Sequence, residues 1–327
     1  MTDAARDAAR VLANATTQLK NRGLEAIAAA LIERSDQILA ANAEDVARGR
    51  KEQMSEGLLD RLALTKDRIR SIADAVHEIV ALPDPVGQVV RGTRTEIGLR
   101  VTQERVPLGV VGIIYEARPN VTIDAATLAI KAGNAVILRG GSAAQASNRV
   151  LIEVCRDALT SVDLSADAIQ TVDQWGRAGA RAMMRARGAI DALIPRGGAG
   201  LINAVVEESR VPVIETGTGN CHLYVDASAD LEAAEAIIMN AKTQRVGVCN
   251  AAETLLVHAA VAARFLAAAI TRLTTAGVTI HADGATRAIV DDQPAIDVDM
   301  IVDATEADWS TEYLSMHLAV RVVGSVE

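Results

Sequence analysis

The sequence predicts an α/β protein of two domains, each built on a largely parallel sheet, with a small exposed β-hairpin. Three observations carry this reading. The chain has 327 residues, more than one ordinary hydrophobic core organises. From Pro107 onward, short apolar runs alternate with helical stretches, the rhythm of strands buried on both faces by crossover helices. Residues 90–106 alternate only in part, with Ile97, Leu99 and Val101 apolar and Arg100 and Thr102 polar, which suits an exposed hairpin.

Residues 3–82 read as successive amphipathic helices. Leu12, Leu19, Ile27, Leu31 and Ile38 recur at near-helical spacing in an alanine-rich background, and Pro83 and Pro85 end the region. Val110–Tyr115 reads as a buried strand and Asp124–Ala132 as a helix stopped by Gly133-Asn134. Strand Ala135–Arg139 passes through Gly140-Gly141 into a helix starting near Ser142. Further strands are predicted near 169–172, 190–194, 211–215 and 222–226. Helix 230–243, strand 253–258, helix 260–275 and strand 277–281 then follow. The loop Gly217-Thr218-Gly219-Asn220 is the natural boundary, giving domains 1–218, with the hairpin at about 88–106, and 219–327.

Composition narrows the function. Aromatics are 2% of the chain and the net charge is −9, which excludes the stacking surfaces and basic stripe of a nucleic-acid binder. Three cysteines are too few for a disulfide framework, and the N-terminus lacks a signal-peptide layout, so a cytoplasmic protein is expected. No apolar run is long enough to span a membrane, and no Cys/His set has zinc spacing, so neither membrane nor metal is expected.

Cys249 is the candidate nucleophile. It lies among small residues in Val246-Gly247-Val248-Cys249-Asn250-Ala251-Ala252, between a predicted helix and a predicted strand, where an acyl group can approach. Arg245 is the one nearby cation in sequence. Cys155 falls on a helix core stripe with Leu151 and Leu159 and reads as inert; Cys221 and His222 are strand neighbours that point to opposite faces. His258, at a strand end, reads as a satisfied or surface histidine. Two glycine turns suit a phosphate: Arg139-Gly140-Gly141-Ser142, with free N–H groups at a helix start, and Arg196-Gly197-Gly198. The alternative for each is an ordinary capped strand-to-helix turn, and neither is a G-x-G-x-x-G fingerprint. Glu215, at a predicted strand end before Gly217, is either a general base or a turn-holding carboxylate.

Val106-Pro107-Leu108-Gly109-Val110-Val111-Gly112-Ile113-Ile114-Tyr115-Glu116-Ala117-Arg118-Pro119-Asn120 resembles the aldehyde dehydrogenase superfamily. So do Lys131–Gly141 and the Glu215…Cys249 pair. In detail, Tyr-Glu-Ala-Arg-Pro-Asn-Val-Thr and Arg-Val-Gly-Val-Cys-Asn-Ala-Ala-Glu-Thr are similar to the branch that reduces γ-glutamyl phosphate. The resemblance runs through essentially the whole chain. It implies an aldehyde-dehydrogenase-like fold and NADPH-dependent reduction of L-glutamyl 5-phosphate to glutamate 5-semialdehyde and phosphate, in proline biosynthesis. It also implies a Cys249 thioester and a hairpin arm used for homo-oligomer assembly.

Departures sharpen the expectation. Ala117 stands where aldehyde-oxidising members carry an oxyanion asparagine, leaving the Cys249 N–H with Asn120 or Asn250 to serve. Arg139–Ser142 match the Lys-Pro-Ser-Glu cofactor motif; losing the acid and gaining Arg and Ser suits the 2′-phosphate of NADP(H). Glu215 matches the hydrolytic base, a task this reduction does not require. Thr311-Glu312-Tyr313-Leu314 resembles the segment whose glutamate holds the nicotinamide ribose, which marks Glu312. Arg118, Asn120 and Asn250 are the expected substrate contacts. The chain ends at Glu327, short of the family's usual extent, so the C-terminal part of the catalytic domain is expected to be missing. Two other readings stand beside this one: another oxidoreductase of the superfamily, and an inactive cofactor-binding or interaction protein.

Overall fold

A computed structural model describes every residue except Ala117, Thr216, Thr218, Asp292, Val326 and Glu327. The chain divides into two compact units, Met1–Thr216 and Gly217–Glu327.

Two of the helices that open the first unit have starts set by side-chain caps. Thr16 accepts from Leu19 N–H and Thr65 from Arg68 N–H, satisfying donors that a helix start leaves orphaned. The helix Thr17–Glu33 buries Leu24, Ile27 and Leu31, and the helix Lys66–Ala81 buries Ile69, Ile72, Val76 and Ile79. Strands β1 (Val89–Arg94) and β2 (Arg100–Glu104) pair antiparallel as an isolated hairpin, exposed along its whole length.

Strands β3 (Val110–Tyr115), β4 (Ala135–Arg139), β5 (Ile169–Thr171) and β6 (Ala192–Arg196) form a parallel sheet in the order β5-β4-β3-β6. All six residues of β3 are buried, as a central parallel strand requires. The helix after β3 runs Pro119–Lys131, starting earlier than the expected Asp124, because Pro119 fits the first helical turn. It ends at Gly133, whose φ of +76° is one that a side chain resists.

The second unit contains β7 (Cys221–Val225), β8 (Ala252–His258), β9 (Thr279–Ala282), β10 (Ile301–Asp303) and β11 (His317–Val323). They form a parallel sheet in the order β10-β9-β11-β8-β7. Its core gathers Leu255, Val257, Phe265, Leu266, Ile270, Ile280, Leu318 and Val320. His258 caps the helix Ala259–Thr275 by accepting from Ala260 N–H.

The expected strand 211–215 does not form. Val213 makes a single bridge to Leu193, with Leu193 N–H donating to Pro212 O and Ile214 N–H to Leu193 O. Pro212 has no N–H to extend a ladder, so the pairing stops there. The unexpected strands are β10 and β11, the latter inserted between β8 and β9.

Candidate active site

In the first unit the predicted residues sit at the carboxyl ends of β3, β4 and β6. A cavity of about 490 Å³ there is lined by Tyr115, Glu116, Arg118, Arg139, Gly141 and Ser142, with Arg61 and Arg177. Four arginines facing one cavity favour a multiply charged anion. Arg139 Nε is buried and without a hydrogen-bond partner, which leaves it a donor to offer.

The Arg139–Ser142 turn works differently from the expectation of free backbone donors. Gly140 N–H donates to Asp173 Oδ1 at 2.7 Å. Asp45, fully buried, accepts from Ala146 N–H at 3.1 Å and from the Ser147 N–H and hydroxyl at 2.8 and 2.7 Å, closing the start of the next helix. That carboxylate also offsets the positive helix end. Gly140 is a glycine for packing: a Cβ would overlap the Asn148 amide and lie 3.0 Å from the Tyr115 ring. A buried chain of hydrogen bonds from Tyr115 through Thr122 and Asn148 to Asp173 supports the turn. Burial raises the Asp173 carboxyl above its ordinary range, although hydrogen bonds from Gly140, Asn148 and Thr171 and the charge of Arg139 oppose the shift. Anion attraction here comes from arginine side chains.

The Arg196–Gly198 turn is likewise taken. Gly198 N–H donates to Glu116 Oε1 at 2.8 Å, and a Cβ on Gly197 would lie 2.7 Å from that oxygen. Arg196 lines a separate, mostly apolar cavity of about 690 Å³ with Ile113, Val121 and Asp124. Asn120 donates to Asp124 at 3.3 Å. Burial lifts the Asp124 carboxyl, against the Asn120 bond and the Arg196 charge. Glu215 is exposed. Ala117, the expected site of the lost oxyanion asparagine, lies outside the described residues.

In the second unit Cys249 occupies the turn before β8, exposed, with Asn250 exposed beside it. Cys221 Sγ donates to the Cys249 carbonyl at 3.2 Å. Gly219 shows what converges on this thiol. A Cβ there would lie 2.6 Å from Cys249 O, 3.0 Å from Cys249 Cβ and 2.9 Å from Glu312 Oε1. Only glycine lets the three segments approach this closely. Cys249 and Glu312, distant in sequence, therefore share one small space. Cys155 differs in kind: burial pushes its thiol up to about 12. Among the described residues no cluster of three His, Cys, Asp or Glu side chains is placed to hold a metal ion, and no helix is long and apolar enough to cross a membrane.

The sequence pattern of the aldehyde dehydrogenase family matches residues 1–309. The chain belongs to that family. Aldehyde dehydrogenase family members use nicotinamide cofactors, and the fold of both units agrees with membership. The chain is 57% identical over 323 residues to a γ-glutamyl phosphate reductase from Thermobifida fusca, covering 99% of this chain and 75% of that protein. It is 54% identical to one from Moorella thermoacetica, again over 99% of this chain and 75% of the relative. The crystal structure of the Thermotoga maritima γ-glutamyl phosphate reductase superposes with a TM-score of 0.92 at 44% identity, covering 99% of this chain and 77% of that one.

Arg61, Arg177 and Gly219 line the candidate sites although the sequence did not mark them as site residues, and Cys221, read from the sequence only as a strand neighbour of His222, lies beside Cys249. Gly219 carried a signal as one of two glycines in the loop at the unit boundary. Arg61 and Arg177 reach the cavity from helices remote in sequence, which no local motif records.

Proposed function

We propose that this chain reduces L-glutamyl 5-phosphate to glutamate 5-semialdehyde and phosphate with NADPH, through a thioester on Cys249, as a step of proline biosynthesis. The observation that carries the reading is the meeting of the exposed Cys249 with Glu312 at Gly219, in a chain so similar to γ-glutamyl phosphate reductases.

Cys249 Sγ attacks the acyl carbon, the C–O bond to phosphate breaks, and phosphate leaves with the electron pair. The carbonyl oxygen gathers charge as the tetrahedral centre forms. The Cys249 N–H, with the amide of Asn120 or Asn250, is assigned to stabilise it. NADPH, when bound, supplies the hydride that reduces the thioester. The resulting thiohemiacetal on Cys249 then collapses, expelling the thiolate and releasing the aldehyde. Arg118, Asn120 and Asn250 are assigned to the charged groups of the substrate.

The first unit's cavity suits the phosphate-bearing adenosine end of NADPH. Arg139 Nε lacks a partner, and Arg61, Arg177 and Ser142 line the same space. Arg139, Gly141 and Ser142 would hold the adenosine side, with Gly140 fixing the turn, and Glu312 the nicotinamide ribose. Arg196, Gly197 and Gly198 are bound up with Glu116 and Asp124, so their part is to shape the strand ends.

The test runs the reaction backward, following NADP⁺ reduction by glutamate 5-semialdehyde with and without phosphate. Cys249→Ala is expected to lose essentially all turnover, whereas Glu215→Gln keeps the phosphate-dependent rate because no water needs activating. Full activity in Cys249→Ala would remove the nucleophile. Phosphate-independent turnover that collapses in Glu215→Gln would mean hydrolytic aldehyde oxidation instead.

A further inference from the structure

The specific stretch around Cys249 continues into Glu253, a residue the proposed chemistry does not use. Glu253 is fully buried on β8, against Lys242 from the helix Leu231–Thr243, also fully buried. Lys242 Nζ donates to Glu253 Oε2 at 2.6 Å and to the carbonyl of Ala252 at 2.8 Å. The other carboxylate oxygen, Oε1, accepts from the backbone N–H of Leu314 at 3.0 Å. Burial lowers the Lys242 pKa, while the bond and charge of Glu253 hold it up.

A buried ion pair is a poor way to gain stability, since an apolar pair of similar volume does as well or better. What this pair gains is two extra hydrogen bonds, each to a segment carrying a site residue. Ala252 opens β8 directly after the Cys249 turn. Leu314 follows Glu312 and Tyr313, and its φ of +51° lies in the left-handed region that leucine rarely adopts. Such a backbone persists only where its surroundings over-determine it, and Glu253 supplies that constraint on the Leu314 N–H. Just before it, the Tyr313 hydroxyl is tied to Asp308 at 2.5 Å. The close approach of Cys249 and Glu312 at Gly219 depends on both segments keeping this register.

We propose that the Lys242–Glu253 pair is a positioning unit that fixes the Cys249 turn and the Glu312 segment relative to each other; this rests on Cys249 as nucleophile and Glu312 as cofactor ligand. Lys242 and Glu253 touch neither substrate nor cofactor.

Two double variants separate positioning from mere burial of charge. Lys242→Met with Glu253→Gln removes the ion pair but keeps an oxygen that accepts from Leu314 N–H. Lys242→Met with Glu253→Leu removes both. NADPH affinity by fluorescence titration and the rate of Cys249 alkylation by iodoacetamide are compared alongside the melting temperature. The Gln variant should keep NADPH affinity within about threefold of the parent, because an oxygen still anchors Leu314 N–H. Its alkylation rate should shift by about threefold or more, because Ala252 has lost the Lys242 bond. The Leu variant should show the same alkylation shift and fall about tenfold or more in NADPH affinity at a similar melting temperature. Equal losses of NADPH affinity in the two variants, or an alkylation rate unchanged in both, would overturn the proposal. Unchanged NADPH binding in Glu312→Gln would instead locate the failure in the assignment of Glu312 itself. If neither double variant folds, hydrogen exchange of the unsubstituted chain decides: Leu314 N–H should be protected like the interior amides of β8, and rapid exchange there would refute the anchor.

Discussion

At the residue scale, the two halves of the proposed site differed in how much a sequence shows. Cys249 could be singled out as a candidate because a nucleophile needs a local environment of small neighbours, which the chain writes in consecutive letters. The anion cavity was not. Arg139 carried a motif, but its companions Arg61 and Arg177 come from separate helices, and the backbone donors that looked free are held by Asp45 and Asp173. In the proposed site, arginine side chains rather than the helix end would therefore bind the phosphate. Arg177 emerges from the start of the helix Gly176–Arg185 and has no intramolecular task among the described contacts that would confuse its removal. Arg177→Ala is expected to weaken NADPH binding about tenfold, the worth of one charge-assisted bond to phosphate, while NADH binding changes little. Parallel titrations with the two nucleotides check this. An equal loss for both would place Arg177 on the shared part of the dinucleotide, or only on the cavity wall.

At the element scale, the alternating strands and helices were readable wherever a strand was short, apolar and bounded by glycine or proline. The expected strand at 211–215 failed because Pro212 cannot donate to a ladder. Strand β11 hid for the opposite reason: His317 and Arg321 interrupt its apolar run, yet both find local partners. Arg321 lies 5.1 Å from the centre of the Trp309 ring, and His317 Nδ1 is 3.0 Å from His281 Nε2. The segment leading to Glu312 is tied to this same cluster. Asp308 accepts from the Tyr313 hydroxyl and from the Thr305 N–H and hydroxyl, and lies 2.9 Å from His281 Nδ1. Burial opposes its ionisation, but these bonds and the His281 charge prevail and hold the carboxyl at about 2. His281 is pushed below its ordinary value by burial, against the pull of Asp308 and with the help of His317. The folded state thus resists protonating His281, whereas the unfolded chain takes up that proton at about pH 6.5. Stability should fall as pH drops through that value, and fall again below about pH 4 as the unfolded chain protonates Asp308 first. Urea unfolding at about pH 7.5 and 5.5 should show the first effect, and His281→Gln should flatten it. Identical slopes in parent and variant would exclude His281 as the source.

At the scale of the whole molecule, each unit carries its own core. The hairpin, part of the first unit, contributes no residue to its core. Every residue of β1 and β2 is exposed, and Val89, Val90, Ile97, Leu99 and Val101 put apolar surface into water, Ile97 at 89% exposure. A two-stranded ribbon is marginal by itself, and unpaired strand edges invite another chain. With so much apolar surface on one arm, the occupant we infer is a second copy of this chain, which would supply both a sheet edge and an apolar face. Sedimentation equilibrium should then find an assembly larger than one chain, and Ile97→Glu combined with Leu99→Glu should shift it to the mass of a single chain. The melting of the two cores should barely move, because the hairpin packs against neither. Two outcomes count against the arm: a parent chain that sediments as a monomer at high concentration, or a charged variant that assembles as well as the parent does. NADPH titration of the same variant separates assembly from cofactor binding, since the cavity at Arg139 is lined entirely by residues outside the hairpin.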